Sequence, residues 1–148
     1  MLQSANPREV FARLLDGVTS RALTDLHTLY AEDAIVEHPF ATSAARRLEG
    51  REAIRQHFAA GATIPLEMHA SNVVIHDTAD PELIVAEFDY HGRITTTGRT
   101  FSVPNIFVIR VPDGKIVSSR DYVNHLALAA ALDRLPQLVE AISKQQAT

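Results

Sequence analysis

The sequence predicts an α+β domain, with helices packed over a strongly curved sheet around an apolar pocket that has polar groups set into its wall. Three observations carry this expectation. The first half shows helical apolar spacing with cap signals. The second half holds β-branched segments separated by turn dipeptides. Between Phe101 and Val111 every second residue is apolar except Asn105. A strand buries one such row, so Asn105 is expected to face the interior.

The elements follow in order. Asn6-Pro7 reads as an N-cap followed by proline at the first helical position. Val10, Phe11, Leu14, Leu15 and Val18 continue with helical spacing, and Gly17 lies near the helix end. Ser20 can cap a second helix whose stripe is Leu23, Leu26 and Tyr30, with His27 on the same side. Residues 34–37 read as a short strand stopped by Pro39, and a polar loop over 42–47 leads to a third helix over about 51–60. Ile54, His57 and Phe58 share the inner face of that helix.

Four strands are then expected over 68–76, 83–90, 93–110 and 115–124. Asp80-Pro81, His91-Gly92 and Pro112-Asp113-Gly114 supply the turns, the last as a hairpin. Gly98 predicts a bend inside the third strand. The tail over 126–143 is helical, with a break at Pro136. Helices followed by an antiparallel meander make an α+β order, with the early helices covering one sheet face.

Composition narrows the function classes. The chain of 148 residues is the size of one domain, with no repeat or linker. Apolar residues make up 46% and charged residues 22%, a globular balance. The net charge of -4 and the lack of a basic run argue against a nucleic-acid groove. The absence of cysteine excludes thiolate nucleophiles and disulfide scaffolds. Seven histidines show no recognised ligand spacing, so no metal is expected. With no long apolar run and no signal-peptide core, the expectation is a cytoplasmic protein.

Several residues are candidates for chemistry. His38 follows a strand and precedes a proline, and histidine is a residue type suited to proton transfer. Glu87 lies on a strand whose two rows, Leu83-Val85-Glu87-Asp89 and Ile84-Ala86-Phe88-Tyr90, both run from apolar to polar. It is either an acid/base group among apolar walls or a solvated strand residue. The run Arg120-Asp121-Tyr122-Val123-Asn124-His125 is polar for a last strand. It either carries pocket groups or is partly exposed.

The runs Leu29-Tyr30-Ala31-Glu32-Asp33-Ala34-Ile35-Val36-Glu37-His38-Pro39 and Leu48-Glu49-Gly50-Arg51-Glu52-Ala53-Ile54 resemble the start of nuclear-transport-factor-2-like domains. That superfamily includes ketosteroid isomerase, limonene epoxide hydrolase, SnoaL-type polyketide cyclases and the phenazine-biosynthesis A/B proteins. The resemblance spans about residues 7–132 of a single SnoaL-like domain over 1–148, with a helical tail over 126–148. It implies a cone-shaped, curved antiparallel sheet around N-terminal helices, usually a homodimer, and no cofactor. The ketosteroid isomerase base falls at His38, whereas its oxyanion-hole donors fall near Leu14 and Phe107, which cannot donate. The epoxide hydrolase aspartate matches Asp121, and a SnoaL-type aspartate falls near Asn124.

Similarity is greatest to the phenazine A/B group. Its acid/base glutamate matches Glu87 in Glu87-Phe88-Asp89-Tyr90-His91-Gly92-Arg93-Ile94, and Pro104-Asn105-Ile106-Phe107 is also alike. The expectation is therefore an isomerase, cyclase or dehydratase moving protons on a hydrophobic small molecule. His38, Glu87 and Asp121 are the catalytic candidates, with Asn105 and Asn124 orienting substrate or water. Tyr30 and His57 line the rim, and Phe11, Leu14, Phe58, Val103 and Phe107 form apolar wall. The alternatives are a non-catalytic ligand-binding or dimerisation domain and an epoxide hydrolase.

Overall fold

The computed structural model describes residues 4–42 and 46–146. Helix α1 spans Pro7–Thr19, and the Asn6 side chain caps it by accepting from the Glu9 amide. A 3₁₀ turn at Leu26–Leu29 leads into strand β1, Tyr30–Glu37. A short strand β2, Arg47–Glu49, precedes helix α2, Arg51–Ala62. Four strands follow: β3 Leu66–Asp77, β4 Leu83–Ile94, β5 Thr100–Arg110 and β6 Ile116–Val123. Helices α3, His125–Ala131, and α4, Leu135–Gln146, follow β6.

The six strands form one curved, unclosed sheet in the order β2-β1-β6-β5-β4-β3. All neighbours are antiparallel except β1 and β6, which run parallel. That pairing sets His38 beside Asp121, because Glu37 lies opposite Arg120. A register shift in β3 between Ser71 and Val74, with Asn72 at φ 55°, breaks the flat ladder.

The buried row of β5 is the predicted one: Phe101, Val103, Asn105, Phe107, Ile109 and Val111. Its partners on β4 are Ile84, Ala86 and Phe88, also buried. Phe11 of α1 packs on this surface, with ring centroids 5.4 Å from Phe88 and 6.5 Å from Phe107.

Four expectations are corrected. The second helix is only the 3₁₀ turn: Ser20 closes α1 instead of opening a helix, and Arg21 reverses the chain at φ 65°. Leu23 and Leu26 are buried nonetheless, and Tyr30 already belongs to β1. His91-Gly92 lies within β4 and is no turn. The hairpin lies at residues 95–99, where Gly98, at φ 74°, donates to the Ile94 carbonyl. The loop over 42–47 contains β2 at its end, and its residues 43–45 lie outside the described ones. Finally, the early helices do not cover the sheet alone. Leu128, Ala131 and Leu132 of the α3 region pack on Ile94, Phe101 and Val103.

The Asp80-Pro81 turn and the Gly114 hairpin, with φ 77°, stand where expected. The tail breaks over residues 132–134, just before Pro136 in the first turn of α4. Among the described residues, no helix is long and apolar enough to cross a membrane.

Candidate active site

The inner face of the sheet and the helices α1 and α2 enclose two adjoining chambers. The deep chamber, about 180 Å³, is walled by apolar groups including Leu14, Val36, Ile54, Phe58 and Phe107. Its polar lining is Tyr30, His38, His57, Tyr90 and Asp121. The mouth chamber, about 230 Å³, shares Val18, His57, Phe58, Tyr90 and Val123 with it. Arg21, Gly61, Ile64, Phe101, Val103 and Leu128 are among the residues that line the mouth but not the deep chamber.

Strand geometry brings the polar groups together. Ser119, Asp121 and Val123 of β6 lie opposite Ile109, Phe107 and Asn105 of β5, all on the inner face. His38 continues β1 next to Asp121, and its Nε2 lies 3.6 Å from Asp121 Oδ2. Both residues are about nine-tenths buried, at 8% and 7% exposure. The Ser119 hydroxyl donates to the other carboxylate oxygen.

Burial is the main cause that pushes the Asp121 carboxyl up to about 6, against the Ser119 hydrogen bond and the His38 ring, which favour the anion. Burial also raises both phenols, Tyr30 well above its ordinary value, and the nearby Asp121 charge adds to this. These phenols therefore stay protonated and can donate hydrogen bonds. His57 stacks near His38, with ring centroids 5.2 Å apart. Burial and the His38 ring lower its pKa, so it is neutral at pH 7. His125 meets the His38 ring edge-on at 6.5 Å.

The structure joins some predicted residues and separates others. His38, Asp121, Tyr30, His57, Leu14, Phe58 and Phe107 line the deep chamber, and Val103 lines the mouth. Phe11, expected in the apolar wall, is instead buried core and lines neither chamber. Asn105 is buried as expected, and its Nδ2 donates to the Val103 carbonyl at 2.8 Å. Its Oδ1 has no partner among the described residues, but Asn105 is in the lining of neither chamber. Asn124 is the N-cap of α3, accepting from the Ala127 amide, and is exposed.

Glu87 requires a correction of place. The buried row of β4 is Ile84, Ala86 and Phe88, so Glu87 projects from the outer face. Its side chain is about half exposed (51%) and meets His76 Nε2 at 2.6 Å. It borders an outer groove of about 750 Å³ between the sheet and α4, with Phe40, Ile106, Tyr122, Leu138 and Ile142. That groove is larger than either chamber, but the buried acid–base pair lies on the opposite face. Among the described residues, no group of three or more His, Asp or Glu side chains could hold a metal.

Tyr90 and Ser119 are not among the site residues expected from the sequence. Tyr90 continues the Ile84-Ala86-Phe88 row, and Ser119 lies two residues before Asp121. Both were legible from alternation once the buried row was known.

Comparisons with known proteins agree with this architecture. A family described as SnoaL-like domain matches residues 11–119. A PhzA/B-like protein of Pseudomonas aeruginosa is 32% identical over 133 residues, covering 86% of this chain and 90% of its own. The uncharacterized protein YesE of Bacillus subtilis is 33% identical over 107 residues, covering 70% of this chain and 71% of its own. Among solved structures, a Bacillus subtilis protein provisionally named an isomerase superposes with a TM-score of 0.78 at 25% identity. It covers 86% of this chain and 92% of its own.

Proposed function

Because the chain belongs to the SnoaL-like family, we propose that it is a small-molecule enzyme of the isomerase, cyclase or dehydratase kind, with Asp121 and His38 as its acid–base pair. One observation carries this reading: a carboxyl and an imidazole 3.6 Å apart, both nearly buried, in a small apolar chamber that also holds two phenols. Poor solvation brings the carboxyl close to neutrality, where a base works best. In the proposed step Asp121 takes a proton from a carbon beside a carbonyl. The negative charge developing on the carbonyl oxygen is met by Tyr30 or Tyr90 as hydrogen-bond donor. His38 stabilises the carboxylate before the step and takes part in returning the proton. His57, neutral, lines both chambers and borders the substrate's path.

The test is α-proton exchange. A cyclic enone incubated with the protein in D₂O should gain deuterium beside its carbonyl, and the Asp121→Asn protein should lose that activity. Exchange that persists unchanged in Asp121→Asn would remove Asp121 from the role. A non-catalytic binding domain would bind the enone without exchanging it.

We also propose a homodimer formed through the outer sheet face. Phe40, Val74, Ile106 and Leu126 are large apolar side chains exposed there or at its border. Isolated apolar residues on a surface are ordinary, but a cluster around one groove marks an interaction surface.

A further inference from the structure

The mouth chamber contains a charge that proton transfer leaves unused. Arg21 stands where the chain turns out of α1, at φ 65°, a conformation that costs a non-glycine residue energy. Its side chain reaches the end of α2, where Nη2 donates to the Gly61 carbonyl at 2.7 Å and the Ile64 carbonyl at 3.0 Å. Those contacts close the helix end, which is a structural duty. They use one nitrogen of a guanidinium that carries five N–H donors. Nε and Nη1 have no acceptor among the described residues.

Other arginines contrast with it. Arg8, Arg47, Arg55, Arg93, Arg99 and Arg110 each lie within 4 Å of a carboxylate. Arg21 has no carboxylate partner among the described residues, although burial disfavours its charge and lowers its pKa. Arg21, Gly61 and Ile64 together line the mouth chamber, whose remaining walls are largely apolar, with Leu23, Leu66 and Phe101 among them. A half-buried guanidinium with spare donors beside an apolar hollow suits a planar anion, and a carboxylate fits its fork.

We propose that Arg21 anchors a carboxylate on the ligand, so that the substrates are small cyclic or carbonyl-bearing acids. The carboxylate sits in the mouth chamber, and the apolar ring or chain extends past His57 and Phe58 into the deep chamber. The anchor does not depend on the acid–base role of Asp121. Only the statement that the bound acid is a substrate rests on that reading.

The experiment compares cyclohexanecarboxylate with cyclohexanecarboxamide, its neutral isostere, by NMR titration of the backbone amides at pH 7. The carboxylate is expected to shift signals around both chambers and to bind at least about tenfold tighter than the amide, the scale of a charge-assisted hydrogen bond. Arg21→Gln should abolish that preference, and Arg21→Lys should keep part of it. Melting curves of both variants report the separate loss of the α2 end contacts, which acts on both probes alike. Asp121→Asn should leave the preference intact, which separates a failed anchor from a failed proton-transfer reading. Equal affinity for the two probes, no shift by the carboxylate around the chambers, or a preference that survives Arg21→Gln would each overturn the proposal.

Discussion

At Asp121, activity and stability pull in opposite directions. The folded protein holds the carboxyl proton more tightly than the unfolded chain does, since burial raises the group from 3.8 to about 6. Ionising it therefore costs stability, which is undiminished below about pH 4 and falls as the pH rises through about 6. The cost at neutral pH is on the order of 3 kcal/mol. Asp121→Asn removes that cost, and its amide oxygen can still accept from Ser119. The variant should melt higher than the wild type at pH 7, with the gain vanishing near pH 4, while proton exchange drops about 10²–10⁴-fold. The exchange rate of the wild type should rise with pH up to about 6 and then level off, because the base must be ionised.

Glu87 gives the opposite case. Glu87→Gln removes a contact with His76 between two half-exposed side chains. It should change stability by less than about 1 kcal/mol and leave exchange intact. The two residues also show what sequence can reveal at this scale. Asn105 was placed correctly because it interrupts an otherwise apolar row. Glu87 was not, because both rows of β4 begin apolar and end polar, so alternation could not say which faces inward. The Asp121–His38 pair needed the parallel pairing of β1 with β6, a long-range register that neither local run encodes.

Elements depend on backbone approaches that composition does not display. A Cβ on Gly92 would lie 2.0 Å from the Glu67 carbonyl oxygen and 2.7 Å from the Phe101 ring. Glycine at this position lets β3 and β4 close on each other above Phe101. Gly92→Ala should destabilise the fold by about 1–3 kcal/mol or more, read from urea denaturation. Gly98 stands in the β4–β5 turn with open space around it, so Gly98→Ala meets only backbone strain at φ 74°. Its cost should be smaller, about 1–2 kcal/mol. In the sequence the two glycines read as a turn and a bend, whereas Gly92 lies within β4 and Gly98 makes the turn, because glycine serves both purposes. The second helix failed for a related reason. Leu23, Leu26 and Tyr30 have helical spacing and are all buried, but Tyr30 satisfies its burial by pairing as a strand with Ile116 of β6. The stronger local signals held: the Asn6-Pro7 start, the Gly114 hairpin and the alternation of β5.

For the whole molecule, the α+β order and the curved sheet were legible because periodicity changes from helical to alternating along the chain. What the order could not reveal was the use of the two sheet faces. The inner face holds the chambers, whereas the outer face carries an apolar groove bordered by α4. If the outer face joins two copies, Ile106→Glu should shift the protein from dimer to monomer in light scattering without altering the inner chambers. A wild-type protein that is already monomeric at high concentration would count against that assembly.

Proton transfer in the deep chamber depends most on the protonation of the buried pair, which carbon-detected NMR titration of the Asp121 carboxyl measures directly. The Asp121 carboxyl should titrate near 6, and His38→Asn should move it higher by removing a ring that favours the anion. An Asp121 that titrates near 4 and ignores the loss of His38 would contradict the assignment.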